Sequence, residues 1–363
     1  MAKRVSVDRW LFAVTLLLVS IGLVMVFSAS AVIAKERFGS PYSFLFRQLA
    51  WAVAGLLAMT GMMNFDYRRL KSSSVVCSAL GFTCVLLLAV FFLDRHANTH
   101  RWIRLAGFSL QPSELAKPAV ILFLAYFLEK HHKEIADWRR TLLPAVAPSL
   151  VFTVLILAEP DLGTAMAICA ITAAVLFTAG VDLKWLGYAA LASLLPLYFL
   201  IFRTPWRLRR IFAFWNPFGD PQGSGFQLVQ SLVAVGAGGL LGQGLMEGKQ
   251  KLFYLPEPQT DFIFAVIAEE LGLVGSIAIV LLLAFFCYRG LRTAILTRDY
   301  FARFLAVGIT AMVGVQAFFN ISVVLGMLPT KGIPLPFISY GGSSLFITLM
   351  SVGVLLNITQ QTD

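Results

Sequence analysis

Residues 14–27 read VTLLLVSIGLVMVF and residues 141–157 read TLLPAVAPSLVFTVLIL, and neither stretch contains a charged side chain. Apolar blocks of roughly 18 residues are long enough to cross a hydrocarbon core of about 30 Å as a helix. Only helices and closed barrels span lipid, because every backbone polar group must be paired within the protein. Runs this continuous lack the alternation of barrel strands. The sequence therefore predicts an all-α protein that crosses a membrane several times.

The composition of the whole chain leads to the same class of protein. Of its 363 residues, 58% are hydrophobic and 13% are charged, whereas soluble domains carry about 25% charged residues. The net charge of +10 would suggest nucleic acid in a soluble protein. Here the basic residues flank the apolar blocks, as expected for topology signals and contacts with anionic headgroups. We therefore expect a membrane protein that does not bind nucleic acid.

Ten helical spans are predicted within a single membrane domain, residues 1–363. Lysine and arginine are more frequent in the short loops of one side, for example Arg68, Arg69 and Lys71, which indicates that both termini are cytoplasmic. The predicted spans cover approximately residues 10–34, 46–64, 74–93, 111–129, 142–158, 162–179, 184–202, 262–287, 302–324 and 343–359.

A long extracytoplasmic loop, about 203–260, contains the one ambiguous segment. Residues 228–246 are apolar and nearly long enough to cross, but they include five glycines within nine residues, which disfavour a helix. Counting them as a span would also place the basic run 289–303 outside. We expect a re-entrant or interfacial element, and irregular backbone at that depth has to be covered by protein or line a cavity.

Ionisable residues gather at the outer ends of the predicted spans. Glu114 and Lys117 begin the fourth span, Glu159 lies in the turn after the fifth, and Asp261 precedes the eighth. Charged groups at membrane depth are costly and mark candidate functional positions. The arginines of the same side are Arg101, Arg104 and Arg210.

Each acidic position also has a structural alternative. Glu114 and Lys117 share a helix face and can neutralise each other, and Glu114 suits a helix start. Glu159 can belong to a simple turn. Asp261 can cap its helix, but the polar residues before it exceed what a cap needs, which favours a functional role.

The outer loop 328–344, LPTKGIPLPFISYGGSS, contains three prolines and three glycines. Its glycines precede the tenth span together with Ser343 and Ser344, and a helix start of this kind can present free N–H groups to an anion. Alone, this pattern is a weak indication of a binding site, since glycine and serine are common in loops.

Four motifs resemble one family, the SEDS proteins, whose division branch is FtsW and whose elongation branch is RodA. The resemblance covers essentially the whole chain, and Lys331 is more similar to the division branch. The motifs are QPSELAK at 111–117, NPF at 216–218, TDFIF at 260–264 with EELG at 269–272, and PFISYGGSS at 336–344.

The resemblance implies a peptidoglycan glycosyltransferase that polymerises lipid II, a sugar on undecaprenyl diphosphate, at the outer face of the bacterial cytoplasmic membrane. It implies a class B penicillin-binding protein as the crosslinking partner, other division proteins, and a location at the septum. The family's essential aspartate matches Asp261, the expected catalytic residue. The expected substrate-binding residues are Arg101, Gln111, Glu114, Lys117, Glu159, Arg210, Ser339 and Ser343.

A mechanism follows as a hypothesis. Asp261 would act as the general base for the attacking sugar hydroxyl or as its closest electrostatic helper, while Lys117, oriented by Glu114, and an arginine would hold the diphosphate. A divalent cation, Mg²⁺ or Mn²⁺, is an alternative clamp without a definite ligand set. Two rival functions stay open: a lipid II flippase, which the deeper Glu269 and Glu270 favour, and a non-catalytic division scaffold.

Overall fold

A computed structural model describes residues 7–94, 100–105, 108–135 and 137–361. It consists of α-helices, short 3₁₀ helices at Tyr67–Lys71 and Pro217–Gly219, a short π-helix at Trp138–Leu142, and one antiparallel hairpin of the strands β1 Ile103–Leu105 and β2 Phe108–Leu110. The all-α architecture is confirmed. The chain ends, for which a cytoplasmic position was predicted, include residues 1–6 and 362–363, which lie outside the described residues. The helices are α1 Arg9–Phe38, α2 Ser43–Asn64, α3 Ser73–Leu93, α4 Pro112–Lys130, α5 Leu143–Ala158, α6 Leu162–Ala179, α7 Leu183–Phe202, α8 Pro205–Trp215, α9 Phe226–Gly238, α10 Ile263–Leu296, α11 Tyr300–Val324 and α12 Gly342–Thr359.

Nine helical segments in the described part of the chain are long and apolar enough to cross a membrane, so this is a multi-pass membrane protein. They correspond to all the predicted spans except residues 111–129. That span is α4, with 19 residues. Its charged side chains, rather than its length, set it apart, because Glu114, Lys117, Glu129 and Lys130 all lie within it.

The bundle is centred on α11 and α12. Most residues of these two helices are buried, and α12 packs along α2 while α11 packs against α10, α4 and α6. In contrast, α7 has no buried residue; it packs mainly against α6 and α8, and its Trp185 stacks on Trp138, which precedes α5. The side chains of α7 are therefore available to lipid on most of its surface.

The apolar segment 228–246 does not form a full span. Its helical part is α9, which has 13 residues and is therefore about 20 Å long at 1.5 Å per residue. A helix of that length is too short for a hydrocarbon core of about 30 Å. The chain then continues without regular structure to the start of α10.

This irregular continuation packs onto a break in α10 at Gly272, where φ is 67° and ψ is −163°. The amide of Leu273 donates to the carbonyl of Gly239 at 2.9 Å, and the amide of Gln243 donates to the carbonyl of Glu269 at 3.0 Å. A Cβ on Gly272 would lie 2.3 Å from the amide nitrogen of Gly242. The glycines that disfavour a spanning helix thus permit this close backbone contact.

Candidate active site

Arg101 links the segment after α3 to the turn after α5. Its backbone amide and that of Trp102 donate to Asp94 Oδ2 at 3.0 and 3.2 Å. Its guanidinium donates from Nε to the carbonyl of Glu159 at 3.1 Å, and from Nη2 to the carbonyl of Pro160. No carboxylate among the described residues forms an ion pair with Arg101, so its positive charge is available to a bound anion.

The turn after α5 places two acids in different environments. Asp161 caps α6: its Oδ1 accepts from the Thr164 amide at 3.1 Å and its Oδ2 accepts from the Thr164 hydroxyl at 2.8 Å. Glu159 is fully buried, and neither carboxyl oxygen has a hydrogen-bond partner among the described residues. Burial, and then the charge of Asp161, raise the pKa of Glu159 to about 8 despite Arg101. Glu159 is therefore protonated and neutral near pH 7.

Asp261 lies immediately before α10 and is partly exposed. It does not cap the helix, because Phe262 occupies the N-cap position and makes no side-chain cap hydrogen bond. Burial raises the pKa of Asp261 to about 7; Glu257 and Asp161 add to this shift, and the positive charges of Arg101 and Arg210 oppose it. A carboxyl group with a pKa near neutrality is suited to taking up a proton at physiological pH.

The loop that follows α11 brings Lys331 to the same cavity as Asp261. The ammonium of Lys331 contacts the sulfur of Met166, and burial lowers the pKa of Lys331 to about 8 against the opposing charge of Asp161. The carbonyl of Thr330 accepts a hydrogen bond from Arg210 Nη1 at 3.3 Å. Burial lowers the pKa of Arg210. The positive charge of Arg101 lowers this pKa further, while the negative charge of Asp261 opposes the shift.

The first of two cavities at this end of the bundle has a volume of about 600 Å³. One wall is apolar and comes largely from α6, α7 and α8. The other wall carries charge and comes from the loops described above together with two arginines of α8. The apolar wall includes Met166, Leu197, Ile201, Trp206, Ile211 and Leu328, and the charged wall includes Arg101, Asp161, Arg207, Arg210, Asp261 and Lys331.

The second cavity, of about 670 Å³, lies on the side of α2 and the start of α12. Three residues, Arg101, Asp261 and Gly332, line both cavities. A carboxylate with a raised pKa therefore stands where two separate spaces meet, next to an arginine that faces both. The remaining polar lining of the second cavity includes Arg47, Arg104, Ser109, Gln111, Glu257, Thr260, Tyr340 and Ser344.

The predicted serines hold the loop rather than line these cavities. Ser339 Oγ accepts from the Leu335 amide at 2.8 Å and donates to the Thr260 carbonyl at 2.6 Å. Ser343 is buried, and its hydroxyl accepts from the backbone amide of Gln111 at 3.4 Å. The side chain of Gln111 reaches Asp161 Oδ2 at 3.4 Å. These residues connect the segments that surround Asp261.

Glu114 and Lys117 form a buried ion pair within α4. Lys117 is 1% exposed, and its ammonium donates to Glu114 Oε1 at 2.7 Å. With its amide group turned, Gln316 of α11 also accepts from this ammonium. Neither Glu114 nor Lys117 lines either cavity. Glu114 and Lys117 thus neutralise each other, as the structural alternative predicted. Among the residues that line the first cavity, the lysine is Lys331.

The deeper acids of α10 are also paired. Glu270 Oε1 lies 2.6 Å from the buried ammonium of Lys251, and the hydroxyl of Ser28 donates to the same carboxylate at 2.6 Å. Glu269 Oε1 accepts from the amides of Lys249 and Gln250 at 2.8 and 3.2 Å. Both glutamates tie the segment after α9 to α10.

Sequence reasoning missed two buried amides that support the site. Gln48 of α2 donates to the Ser339 carbonyl at 3.1 Å and accepts from the Gly341 amide at 3.3 Å. Asn320 of α11 donates to the carbonyls of Asp261 and Ile333. Polar residues isolated in apolar helices are a recognisable signal, but the partners of these two are backbone groups of distant loops.

The described residues contain no group of three or more His, Cys, Asp or Glu side chains suited to a metal ion. Two carboxylates, Asp161 and Asp261, line the first cavity. Mg²⁺ is commonly bound through one or two carboxylates together with substrate phosphates and water. The residues present therefore fit a divalent ion that arrives with a phosphate-bearing substrate, rather than an ion held by the protein alone.

Comparison with known proteins places the whole chain in one family. The model of the FtsW, RodA and SpoVE family, described as "Cell cycle protein", matches residues 8–363. Stage V sporulation protein E of Bacillus subtilis is 44% identical over 99% of this chain and 98% of its own length. A protein of Geobacter metallireducens named "Probable peptidoglycan glycosyltransferase FtsW" is 43% identical over 98% of this chain and 96% of its own.

Solved structures share the fold. A chain of a peptidoglycan synthase complex that coordinates polymerization and crosslinking superposes with a TM-score of 0.78 at 29% identity, over 98% of both chains. The rod shape determining protein RodA of Thermus thermophilus superposes with a TM-score of 0.72 at 27% identity, over 99% of both chains. The bundle described above is thus the fold of these proteins.

Proposed function

The chain belongs to the FtsW, RodA and SpoVE family of cell cycle proteins, and we propose that it is a peptidoglycan glycosyltransferase that polymerises lipid II into glycan strands. Full-length relatives named for this activity support the proposal. The observation that carries it is the meeting of two cavities at Asp261. Joining two lipid-linked sugars requires space for a donor and for an acceptor, with the reacting atoms at the boundary.

The shape of the first cavity suits a molecule that is partly lipid. Its apolar wall includes Leu197 and Ile201 of α7, a helix with no buried residue. A polyprenyl chain would lie against such a surface at no cost in polar burial, while its diphosphate and sugar would meet the charged wall. The bundle thus acts as the holder of a substrate whose tail stays in the bilayer.

Asp261 is the proposed general base. In the transfer step a hydroxyl of the acceptor sugar attacks the anomeric carbon of the donor, the new glycosidic bond forms, and the bond to the diphosphate breaks. The hydroxyl proton passes to the Asp261 carboxylate, and the diphosphate leaves as an anion. With a pKa of about 7, this carboxyl group takes up a proton more readily than an ordinary aspartate does.

Arg101, Arg210 and Lys331 are the proposed ligands of the leaving diphosphate. All three line the first cavity, and none forms an ion pair with a carboxylate among the described residues. Cations placed where negative charge develops lower the barrier for its departure. Lys331 is thus proposed as the lysine that binds the diphosphate, the role that the sequence suggests for Lys117. The ammonium of Lys117 forms an ion pair with Glu114 instead.

A divalent cation, Mg²⁺ or Mn²⁺, bound together with the diphosphate would neutralise further charge. Asp161 and Asp261 are the carboxylates from which it would draw protein ligands, because they line the same cavity. The oxygens of Asp161 already accept hydrogen bonds from Thr164, which leaves Asp261 as the freer of the two. A requirement for the ion is tested by the chelator arm of the experiment below.

The proposed setting is the outer face of a bacterial cytoplasmic membrane, at the division septum, with both termini in the cytoplasm. Basic inner loops support this orientation, and relatives named FtsW support a division-type role over the elongation role of RodA. A class B penicillin-binding protein is the proposed partner, alongside other division proteins. Its support is the similar chain from a complex that coordinates polymerization and crosslinking.

The test is polymerisation of labelled lipid II by the purified protein with its partner, with and without a chelator. Long glycan strands are the expected product, and their loss with EDTA and return with Mg²⁺ would establish the ion. Passage of lipid II across vesicle membranes without polymer would instead identify a flippase. Failure of both reactions with folded protein would leave the scaffold function.

A further inference from the structure

Asn320 connects two loops of the candidate active site through one side-chain amide. It belongs to α11, is 1% exposed, and donates from Nδ2 to the carbonyl of Asp261 at 2.8 Å and to that of Ile333 at 2.7 Å. The two carbonyls come from segments that are far apart in the sequence. A single buried group therefore links the Asp261 main chain to the loop that carries Lys331, beside the hydrogen bond from Ser339 Oγ to the Thr260 carbonyl.

The orientation of this amide is settled by chemistry. A main-chain carbonyl accepts hydrogen bonds and cannot donate them, so only the NH₂ group of Asn320 can face both carbonyls. Both of its hydrogens are used, while Oδ1 has no partner among the described residues. The geometry thus engages both donors of Asn320 with loop backbone.

The two loops need such a support. Asp261 does not cap α10, and its carboxylate accepts no hydrogen bond from the described residues, so the side chain depends on the main chain for its position. The segment 333–339 is irregular and mostly buried, where unpaired backbone groups are costly. Lys331 precedes this segment by two residues and faces the same cavity as Asp261.

We infer that Asn320 is a positioning residue of the transfer reaction, which holds Asp261 and the Lys331 loop at the separation that transfer requires. This inference rests on the proposed glycosyltransferase function. Asn320 contacts no substrate in this account; it acts through the main chain of Asp261 and Ile333. An error of about 1 Å in the placement of reacting groups lowers rates by about 100-fold, so loss of the amide should slow the reaction itself.

Asn357 of α12 provides a matched control near the C-terminal end of α2. It is also 1% exposed, donates from Nδ2 to the Met63 carbonyl at 2.7 Å, and accepts from the Tyr67 amide at 3.0 Å. It thus bridges backbone groups as Asn320 does, but far from Asp261. Any general effect of removing a buried amide should appear equally in both positions.

The experiment compares Asn320→Leu with Asn357→Leu in lipid II polymerisation by the full-length protein with its partner. Leucine keeps the branched shape of asparagine and removes its donors, and the corresponding alanine variants serve if either leucine protein does not fold. We expect kcat of the Asn320 variant to fall at least about tenfold with KM changed by less than about threefold. The Asn357 variant should stay within about threefold of wild type.

The division of the effect between kcat and KM is the readout that a purely structural role would not move. A loss of folded protein lowers the number of active sites, whereas a misplaced Asp261 lowers kcat per folded molecule with KM nearly unchanged. The Asn357 variant should keep kcat per folded molecule within about threefold of wild type.

Three results decide between the claims. Equal rates in the two variants, or a loss in the Asn320 variant that lies in KM rather than in kcat, would overturn the positioning role while the active wild type upholds the proposed function. A folded wild type that makes no polymer would overturn the proposed function, and the positioning role falls with it. A lowered kcat with KM nearly unchanged in the Asn320 variant, beside a normal Asn357 variant, supports both.

Discussion

Asp261 lies immediately before α10, and Glu269 and Glu270 lie within the first half of that helix. The carboxylates of these acids differ in how many hydrogen bonds they accept. Glu269 and Glu270 lie about 12 Å along the helix from Asp261, and both accept several hydrogen bonds: Lys251, Ser28 and main-chain amides surround them. The carboxylate of Asp261 accepts none from the described residues and faces two cavities instead.

This difference shows that burial of a carboxylate at membrane depth is not by itself evidence of a functional role. A buried carboxylate that is saturated with donors stabilises its charged form and has no capacity left for a substrate. A carboxylate that lacks partners and borders a cavity can exchange a proton with a bound molecule. The contacts of Glu269 and Glu270 therefore explain their position at membrane depth without a transport path, and this removes the sequence-based reason for the flippase alternative.

Substitutions among the paired residues Ser28, Lys251 and Glu270 should mainly lower the stability of the protein. Lys251→Met leaves Glu270 as an uncompensated buried charge, which costs about 3–5 kcal/mol. We expect a corresponding decrease in the free energy of unfolding in detergent, with the polymerisation rate per folded molecule changed little. The double variant Lys251→Met/Glu270→Gln removes both charges and should recover much of the loss. Equal stability of wild type and the single variant would contradict the importance of this pair.

Substitution of Lys331, which has no carboxylate partner among the described residues and lines the first cavity, should mainly lower the polymerisation rate. Lys331→Gln removes a cation of the first cavity, and a hydrogen bond to a charged group is worth about 1.5–3 kcal/mol, so polymerisation should slow about 10- to 100-fold. Lys249→Gln is the matched control, since it removes the same charge from an exposed side chain. Equal rates in the two variants would exclude Lys331 as a ligand of the leaving group.

The pH dependence of the polymerisation rate should show the titration of both Asp261 and Lys331. The base form of Asp261 is lost as the pH falls below its pKa of about 7, so the rate should decrease about tenfold per pH unit on the acid side. The cation of Lys331 is lost as the pH rises above its pKa of about 8, which lowers the rate on the alkaline side. Lys331→Arg should extend the alkaline limb, because arginine stays charged. A flat profile between pH 5 and 9 would contradict this assignment.

The sequence predicts the helices well because each apolar block carries its own signal. It also predicts the importance of Asp261, since polar residues before an apolar helix exceed the needs of a cap. The break of α10 at Gly272 is not predicted, because it depends on pairing with residues 239–244. Local glycine content indicates irregular backbone but not the segment it packs against.

The site residues are predicted less completely, because their roles depend on how helices rotate against one another. Lys117 is a reasonable cation for an anionic substrate by sequence, yet α4 turns it toward Glu114 and Gln316. Lys331 is distinctive in sequence only as a branch marker, although its loop places it in the first cavity. Asn320 and Gln48 bind backbone carbonyls and amides, which have no sequence signature.

The proposed role of Asp261 as the general base is tested most directly by lipid II polymerisation. The Asp261→Asn variant is compared with wild type at equal amounts of folded protein. Asparagine keeps the size of the side chain and cannot act as a base. A general base contributes about 100- to 10,000-fold to a rate, so we expect a loss of that size with the unfolding temperature unchanged or raised. A folded Asp261→Asn protein that polymerises at the wild-type rate would contradict it.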